Sequence, residues 1–346
     1  MRNEPAALSV VLLSSLLLLT ACPGEDSDGA DGGVDGGAPV CGTATAGELV
    51  RCVEEARYSA DLAFIAEERV PGSTHWQAVQ DRIAGRLEEL GFTVELHDYG
   101  TGINVIGTLP GTTTPTEEVL VGAHYDHIPG CPGANDNATG VAGALEIARV
   151  LSQAAFERTL VVAFWDEEER GLLGSIEYVT RADANGQDIV ASFNYDMIGF
   201  KDDTPDSQTI PDGLDLLFPD EIGRLADRGY RGDFIAAIRD FQSEAVAFDF
   251  FDFADALGLE YADLPLSDAL KNSPMVSDLR RSDHAPFWMA EYPAIFLSDS
   301  GEFRSDTYHC RGSIDDTATL DDAFAAQVVG ATLGAMAEAL VIDPTP

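Results

Sequence analysis

Lysine is almost absent from this chain, occurring only as Lys201 and Lys271. The 346 residues contain 20 Lys and Arg against 60 Asp and Glu, which gives a formal net charge of -40. A surface this acidic repels phosphate backbones and anionic lipid surfaces. The composition therefore predicts that nucleic acid is not a partner.

Several signatures of enzyme chemistry are also missing. The sequence contains no GxSxG elbow, no HExxH helix and no P-loop. The sequence therefore gives no support for a serine hydrolase with a nucleophile elbow, for a zinc protease of the HExxH type, or for a P-loop nucleotide-binding protein. Cysteine is scarce too, with five residues and no CxxC spacing, which argues against a thiolate metal site.

The amino-terminal residues predict export. An apolar run at residues 8–19 ends in Leu19-Thr20-Ala21-Cys22, which resembles a bacterial lipoprotein signal. We expect residues 1–21 to be the signal peptide and Cys22 to carry lipid, although an ordinary secretory signal is the alternative. Residues 22–40 are rich in Gly and Asp and predict an acidic, disordered tether. The expected location is extracytoplasmic, as a membrane-anchored lipoprotein facing the periplasm or the cell surface.

Residues 41–346 alternate between apolar, strand-like runs and helical patterns. We predict strands at 118–123, 160–165, 188–195 and 292–297. We predict helices at 48–69, 76–90, 141–152, 172–180, 220–227, 235–255 and 320–340. Such alternation favours a single α/β domain, a three-layer α/β/α sandwich with a central mixed, mostly parallel sheet.

Acids and imidazoles follow the strand-like runs. His124 and Asp126 come after the first run, Asp166 to Glu169 after the second, and Asp196 after the third. Carboxylates crowded at one sheet edge repel one another unless a cation lies among them. Taken singly, each motif has an ordinary explanation, such as a solvated acidic loop or a helix cap. Their recurrence at successive strand ends predicts a metal site.

The order of the motifs resembles a known family, the co-catalytic zinc aminopeptidases of the bacterial leucyl aminopeptidase type. Glutaminyl cyclases and glutamate carboxypeptidases are relatives of that family. The resemblance extends from about Gly72 to the C-terminus and implies a zinc-exopeptidase-like fold acting on peptide substrates. The segments that carry it are Gly122-Ala123-His124-Tyr125-Asp126, Gly133-Ala134-Asn135-Asp136-Asn137-Ala138-Thr139-Gly140, Glu168-Glu169-Arg170-Gly171-Leu172-Leu173-Gly174-Ser175, Asp196-Met197-Ile198-Gly199, Ser282-Asp283-His284-Ala285-Pro286-Phe287 and Tyr308-His309.

The resemblance implies a metal-binding role for five residues of this chain. Asp136 would bridge two Zn²⁺ ions, with His124 and Asp196 completing one ion site and Glu169 and His309 the other. The family pattern also implies a cis peptide bond between Asp136 and Asn137. Two zinc ions per chain are therefore expected, although glutaminyl-cyclase relatives use one.

The same resemblance assigns two catalytic residues. Glu168 matches the general base, and Asp126 matches the carboxylate that lies behind His124. Two other histidines have no matched ligand position. His127 is close to the site and lining it is one alternative, but a loop histidine more often faces solvent, which is what we expect; His284 should serve in packing and hydrogen bonding.

If Cys22 carries lipid, four cysteines remain for disulfides. Cys131 lies between proposed ligands and Cys310 directly follows His309, so we expect these two to pair and Cys41 to pair with Cys52. The activity favoured is an aminopeptidase. A single-zinc glutaminyl cyclase, a carboxypeptidase and a binding protein without catalysis are the alternatives, and the sequence leaves the oligomeric state open.

Overall fold

A computed structural model of the chain describes residue 41 and residues 45–343. The predicted signal peptide at 1–21, the lipidated Cys22 and the tether at 22–40 lie outside the described residues and stay predictions.

Within the described part of the chain, eight strands form one sheet in the order β1-β2-β4-β3-β5-β8-β6-β7. The pairs β3–β4, β3–β5, β5–β8 and β6–β7 are parallel, and the pairs β1–β2, β2–β4 and β6–β8 are antiparallel. The predicted mixed, mostly parallel sheet is confirmed. The strands are β1 (Thr93–Asp98), β2 (Ile103–Leu109), β3 (Thr114–His124), β4 (Arg158–Trp165), β5 (Asp188–Tyr195), β6 (Phe234–Asp240), β7 (Glu260–Leu266) and β8 (Ile295–Ser298).

Helices cover both faces of this sheet, as the predicted three-layer sandwich requires. They are α1 (Ala46–Val50), α2 (Glu55–Ile65), α3 (Thr74–Glu89), α4 (Gly140–Leu151), α5 (Leu173–Asn185), α6 (Leu214–Leu217), α7 (Pro219–Asp227), α8 (Glu244–Leu257), α9 (Asp268–Lys271), α10 (His284–Met289) and α11 (Asp322–Leu340). Helix α11 is long and apolar enough to cross a membrane, but 78% of its most apolar window is buried inside the protein. It is therefore a core helix here.

The central strands are buried on both sides, which explains their unbroken apolar runs. Successive residues of β4 alternate between two cores: Val162 packs with α4 and α11, whereas Val161 packs with the helices on the other face. Leu120 and Val121 of β3 divide in the same way. In the buried stretches of β3 and β4, consecutive residues are therefore apolar, not only every second one.

Two predicted helices are wrong in extent. The helix expected at 48–69 is two helices, α1 and α2, separated by a turn that contains Cys52. The helix expected at 235–255 begins as a strand: β6 pairs with β7 and β8, and α8 starts only at Glu244. A short, fully buried strand lacks the alternation that distinguishes it from a helix.

Candidate metal centre

The proposed ligands converge because four neighbouring parallel strands end at the same edge of the sheet. Strand β3 ends at His124, β4 is followed by the Glu168-Glu169 turn, and β5 leads directly into Asp196. Asp136 lies in the turn before α4, and His309 lies in a short turn after β8. Residues up to 185 positions apart in sequence are thus within a few ångströms of one another.

The side chains form two groups that share Asp136. In the first group, a candidate site that we call the first ion site, His124 Nε2 lies 3.3 Å from Asp136 Oδ1 and 3.5 Å from Asp196 Oδ1. In the second group, the candidate second ion site, His309 Nε2 lies 3.3 Å from Asp136 Oδ2 and 3.2 Å from Glu169 Oε2. Each oxygen of Asp136 therefore faces a different imidazole, as a bridging carboxylate would.

These distances and the chemistry of the donors fit zinc. Tetrahedral zinc bound at about 2.0–2.1 Å places neighbouring ligand atoms about 3.3 Å apart. His124 Nε2 and Asp196 Oδ1 are buried and have no hydrogen-bond partner among the described residues. Buried polar atoms are costly unless something satisfies them. The structure brings all five expected ligands together, and their role in binding ions stays a prediction.

The electrostatics of the centre follow from its crowding. Burial raises the pKa of Asp136, but contacts with His124 and His309 outweigh burial and hold the pKa well below its ordinary value. Burial lowers the pKa of His309, yet Asp136 and Glu169 raise it to about 9. Burial raises the pKa of Glu168 well above the usual range, against the opposing charge of His124.

Asp126 supports both glutamates from behind. Its carboxylate accepts hydrogen bonds from the backbone N–H groups of Glu168, at 3.0 Å, and Glu169, at 3.4 Å. It also lies 3.6 Å from His124 Nδ1, although the Asp126 carbonyl oxygen is nearer to that nitrogen, at 3.3 Å. Asp126 therefore fixes the acidic turn at least as much as it orients the imidazole.

The four consecutive acids divide into structural and site residues. Asp166 accepts hydrogen bonds from Trp76 Nε1 at 2.9 Å and Ile103 N at 3.0 Å, so it fastens the turn to the fold. Glu167 pairs with Arg170 instead. Glu168 and Glu169 lie beyond the end of β4, in a 3-10 turn, so the two-residue alternation of a strand does not apply to them.

The loop that carries Asp136 is held by two residues whose roles the sequence did not reveal. The carboxylate of Asp315 accepts from the backbone N–H groups of Asn135, at 2.9 Å, and Asp136, at 3.0 Å. The buried guanidinium of Arg69 donates to the carbonyl oxygens of Gly133, at 2.8 Å, and Asp136, at 3.1 Å. The expected cis peptide bond at Asp136-Asn137 is present.

Both expected disulfides are confirmed. Cys131 and Cys310 are joined with a Cα–Cα distance of 5.8 Å across 179 residues of sequence. Cys41 and Cys52 are joined at 6.1 Å across 11 residues. The first bond links the loop before Asp136 directly to the turn that carries His309.

The two unassigned histidines differ. His127 is only 1% exposed, so the expectation that it faces solvent is wrong. Its Nδ1 lies 2.8 Å from Glu169 Oε1, because the loop after β3 folds inward beneath Arg69 and Gly133. His284 is buried against Trp288 and Phe296, and its Nε2 lies 2.9 Å from the Leu279 carbonyl oxygen. This is the packing role expected of His284.

An apolar cleft opens beside the first ion site. It occupies about 790 Å³ including its mouth, and Asp196 and Met197 form the wall nearest the metal centre. Other lining side chains are mainly apolar, among them Leu214, Ile222, Phe234 and Leu264. The metal centre and this cleft are therefore continuous.

The sequence is similar to known peptidases. Residues 104–335, more than half of the chain, match peptidase family M28. The uncharacterized protein YfbL of Escherichia coli is 30% identical over 210 residues, which cover 57% of this chain and 60% of YfbL. Leucine aminopeptidase 1 of Neurospora crassa is 27% identical over 252 residues, which cover 68% of this chain and 54% of that protein. The chain thus matches little more than half the length of these relatives.

Solved structures share the fold. The LapA aminopeptidase of Legionella pneumophila superposes with a TM-score of 0.63 at 15% identity, over 85% of this chain and 74% of LapA. The glutaminyl cyclase of Porphyromonas gingivalis gives a TM-score of 0.58 at 19% identity, over 84% of this chain and 98% of that chain. The fold, the clustered site residues and the match over residues 104–335 lead to one conclusion: the chain belongs to peptidase family M28.

Proposed function

We propose that this chain is a zinc-dependent aminopeptidase that removes apolar N-terminal residues from peptides. The observation that carries the proposal is the pairing of two ion sites through Asp136, with Glu168 on the same turn as Glu169. His124, Asp136 and Asp196 would hold one ion, and Asp136, Glu169 and His309 the other. Bound zinc supplies Lewis acidity, which acidifies water and polarises a carbonyl group.

Glu168 would carry the proton in this reaction. A general base removes a proton from the attacking water and returns it to the departing amine. Burial and the negative charge of Asp196 raise the pKa of Glu168, although His124 opposes them. A carboxylate with a raised pKa holds a transferred proton long enough to pass it on, and the Asp126 contact to its backbone fixes its place.

The apolar cleft supports an apolar first residue of the substrate. Its walls of Leu214, Ile222, Phe234 and Leu264 would accept a side chain such as that of leucine by removing its apolar surface from water. The substrate's free α-ammonium group would then lie toward the carboxylates of the metal centre. Attraction between the ammonium group and these acids favours the amino end of a peptide over its carboxylate end.

Carboxypeptidase action has less support, because the nearby arginines are engaged. Arg281 pairs with Glu302 and also donates to the Tyr308 hydroxyl at 3.1 Å. Arg304 is buried and donates to Gln208 Oε1 at 2.9 Å and to the Phe200 carbonyl oxygen at 3.2 Å. To receive a substrate carboxylate, Arg281 would have to give up its pairing with Glu302, and Arg304 is buried.

The test is Glu168→Gln, which keeps the shape of the side chain but removes the base. We expect the variant to bind as much zinc as the unsubstituted chain while kcat on leucine anilide falls by about 10²–10⁴. Metal analysis beside steady-state kinetics measures both quantities, and Glu89→Gln, on the outer surface of α3, is the matched control.

Full activity in Glu168→Gln would refute its role as base. Cyclisation of an N-terminal glutaminyl peptide, without hydrolysis of aminoacyl anilides, would replace the aminopeptidase proposal with a glutaminyl cyclase.

A further inference from the structure

We infer that His127 is a positioning residue of the second ion site, holding Glu169 by donating from Nδ1 to Oε1 so that Oε2 faces the ion. This inference rests on the two-ion centre proposed above. It gives a role to a buried imidazole that the ligand set leaves unused.

The distances separate a positioning contact from a ligand contact. The four pairs of expected ligand atoms are 3.2–3.5 Å apart, close to the edge of a zinc tetrahedron. His127 Nδ1 is only 2.8 Å from Glu169 Oε1, within the usual range for a hydrogen bond to a carboxylate. It is also 4.0 Å from Asp136 Oδ1, farther than any of these four pairs, although His127, Asp136 and Glu169 together lie close enough to hold an ion.

The two oxygens of Glu169 therefore have different neighbours. Oε2 lies toward His309 Nε2, on the side of the second ion site, and Oε1 lies toward His127. His127 Nδ1 and Glu169 Oε1 are both buried, have no hydrogen-bond partner among the other described residues and lie 2.8 Å apart, so each is placed to satisfy the other.

Burial indicates which ring nitrogen carries the hydrogen. His127 Nε2 has no hydrogen-bond partner among the described residues, so an N–H there would be buried without an acceptor. A ring hydrogen on Nδ1 is directed toward a carboxylate oxygen instead.

The ring is also held in place by its surroundings. A Cβ at Gly133 would lie 2.5 Å from His127 Cδ2, so glycine there allows the loop to close over the ring. The His127 backbone N–H donates to the Arg69 carbonyl oxygen at 3.3 Å. The second ion site thus has a fixed support behind Glu169, as the first has Asp126 beside His124.

The experiment compares His127→Leu with His127→Asn in the full chain. Leucine fills the space without a donor, whereas the Asn side-chain amide can place N–H near the Nδ1 position. Zinc affinities for the first and second ions are measured by competition with a chromophoric chelator, and thermal unfolding reports folding. His75→Leu, in the first turn of α3, is the control for loss of a partly buried imidazole.

We expect His127→Leu to lower the affinity for the second ion by roughly 10–100-fold, while the affinity for the first ion changes little. His127→Asn should recover most of that loss, and His75→Leu should match the unsubstituted chain. A crystal structure with bound zinc should place His127 Nδ1 well beyond bonding distance of either ion.

Three results overturn this inference alone. The first is an Asn variant that binds the second ion as weakly as the Leu variant does. The second is an equal loss of affinity for both ions. The third is a zinc–Nδ1 distance of about 2.1 Å, which would make His127 a ligand. An unsubstituted chain that binds no second ion would overturn the proposed function as well.

Discussion

Asp136 and His309 show how single residues set the behaviour of the metal centre. Each is a charged or chargeable group that burial alone would neutralise, and each is kept ionised by the other. An ion that enters the second ion site must replace the proton of His309 as the partner of the carboxylates. Metal binding should therefore be coupled to proton release.

The first prediction concerns that proton. Burial lowers the pKa of His309, but Asp136 and Glu169 raise it to about 9, so we expect the ring to be protonated at pH 7.5 and to lose its proton when a cation binds. Zinc affinity should rise as pH increases from about 7 to about 9. Calorimetric zinc titration at pH 7.5 in two buffers of different ionisation enthalpy should reveal at least one proton released per chain. Identical heats in both buffers would contradict this coupling.

The sequence predicted that acids and imidazoles at strand ends would cluster, and it missed contacts that depend on loop packing. His124, Glu168 and Asp196 follow apolar strands, and that pattern is legible without coordinates. Arg69 and His127 gave no such signal, because each acts on a loop whose approach is set by the tertiary fold. Asp315 was visible only as part of an acidic pair after His309.

At the scale of loops and turns, the disulfide between Cys131 and Cys310 connects two segments of the metal centre directly. It joins the loop before Asp136 to the turn of His309, and Asp315 N also lies 3.3 Å from Cys310 Sγ. The Cys41–Cys52 bond lies outside the metal centre, between the start of the described chain and the end of α1. The two bonds form a natural comparison.

We predict that replacing Cys131 and Cys310 together by serine weakens second-ion binding and lowers stability. Loop-closure entropy alone gives about 5 kcal/mol for the 179-residue loop and about 3 kcal/mol for the 11-residue loop. Chemical denaturation and zinc competition measure the two effects. The Cys41→Ser, Cys52→Ser pair should lose stability but keep both zinc affinities, and equal zinc loss in both pairs would contradict a local role.

The sequence predicted the long, buried strands well, but it did not predict the exposed strand β1 or the strand β6, which lies next to a helix. Strands β3, β4 and β5 have long apolar runs, whereas β1 is mostly exposed and has an ambiguous pattern. Strand β6 is apolar but short and close to α8, so its period could not be separated from that of a helix. The sheet order itself depends on long-range pairing that no local pattern encodes.

The molecule as a whole is dominated by its net charge of -40. Arginines such as Arg149 and Arg224 are already paired with neighbouring glutamates, so the excess acids are left to repel one another. Such self-repulsion destabilises a compact chain and is reduced by salt.

Raising NaCl from about 0.01 M to about 0.15 M shortens the screening length from about 30 Å to about 8 Å. We predict that Tm of the zinc-loaded chain rises over this range, as measured by scanning calorimetry. KCl at the same ionic strength should act equally, because the effect is screening. A Tm that is unchanged or lower would show that acidic repulsion does not limit stability.

The central claim is that five residues from distant parts of the chain hold two zinc ions through one shared carboxylate. The most direct measurement is zinc content per chain after equilibration and removal of free metal, for the unsubstituted protein and for Asp136→Asn. We predict two zinc ions per unsubstituted chain and loss of both sites in the variant. The claim would be contradicted if the unsubstituted chain bound one ion or fewer, or if Asp136→Asn retained two ions.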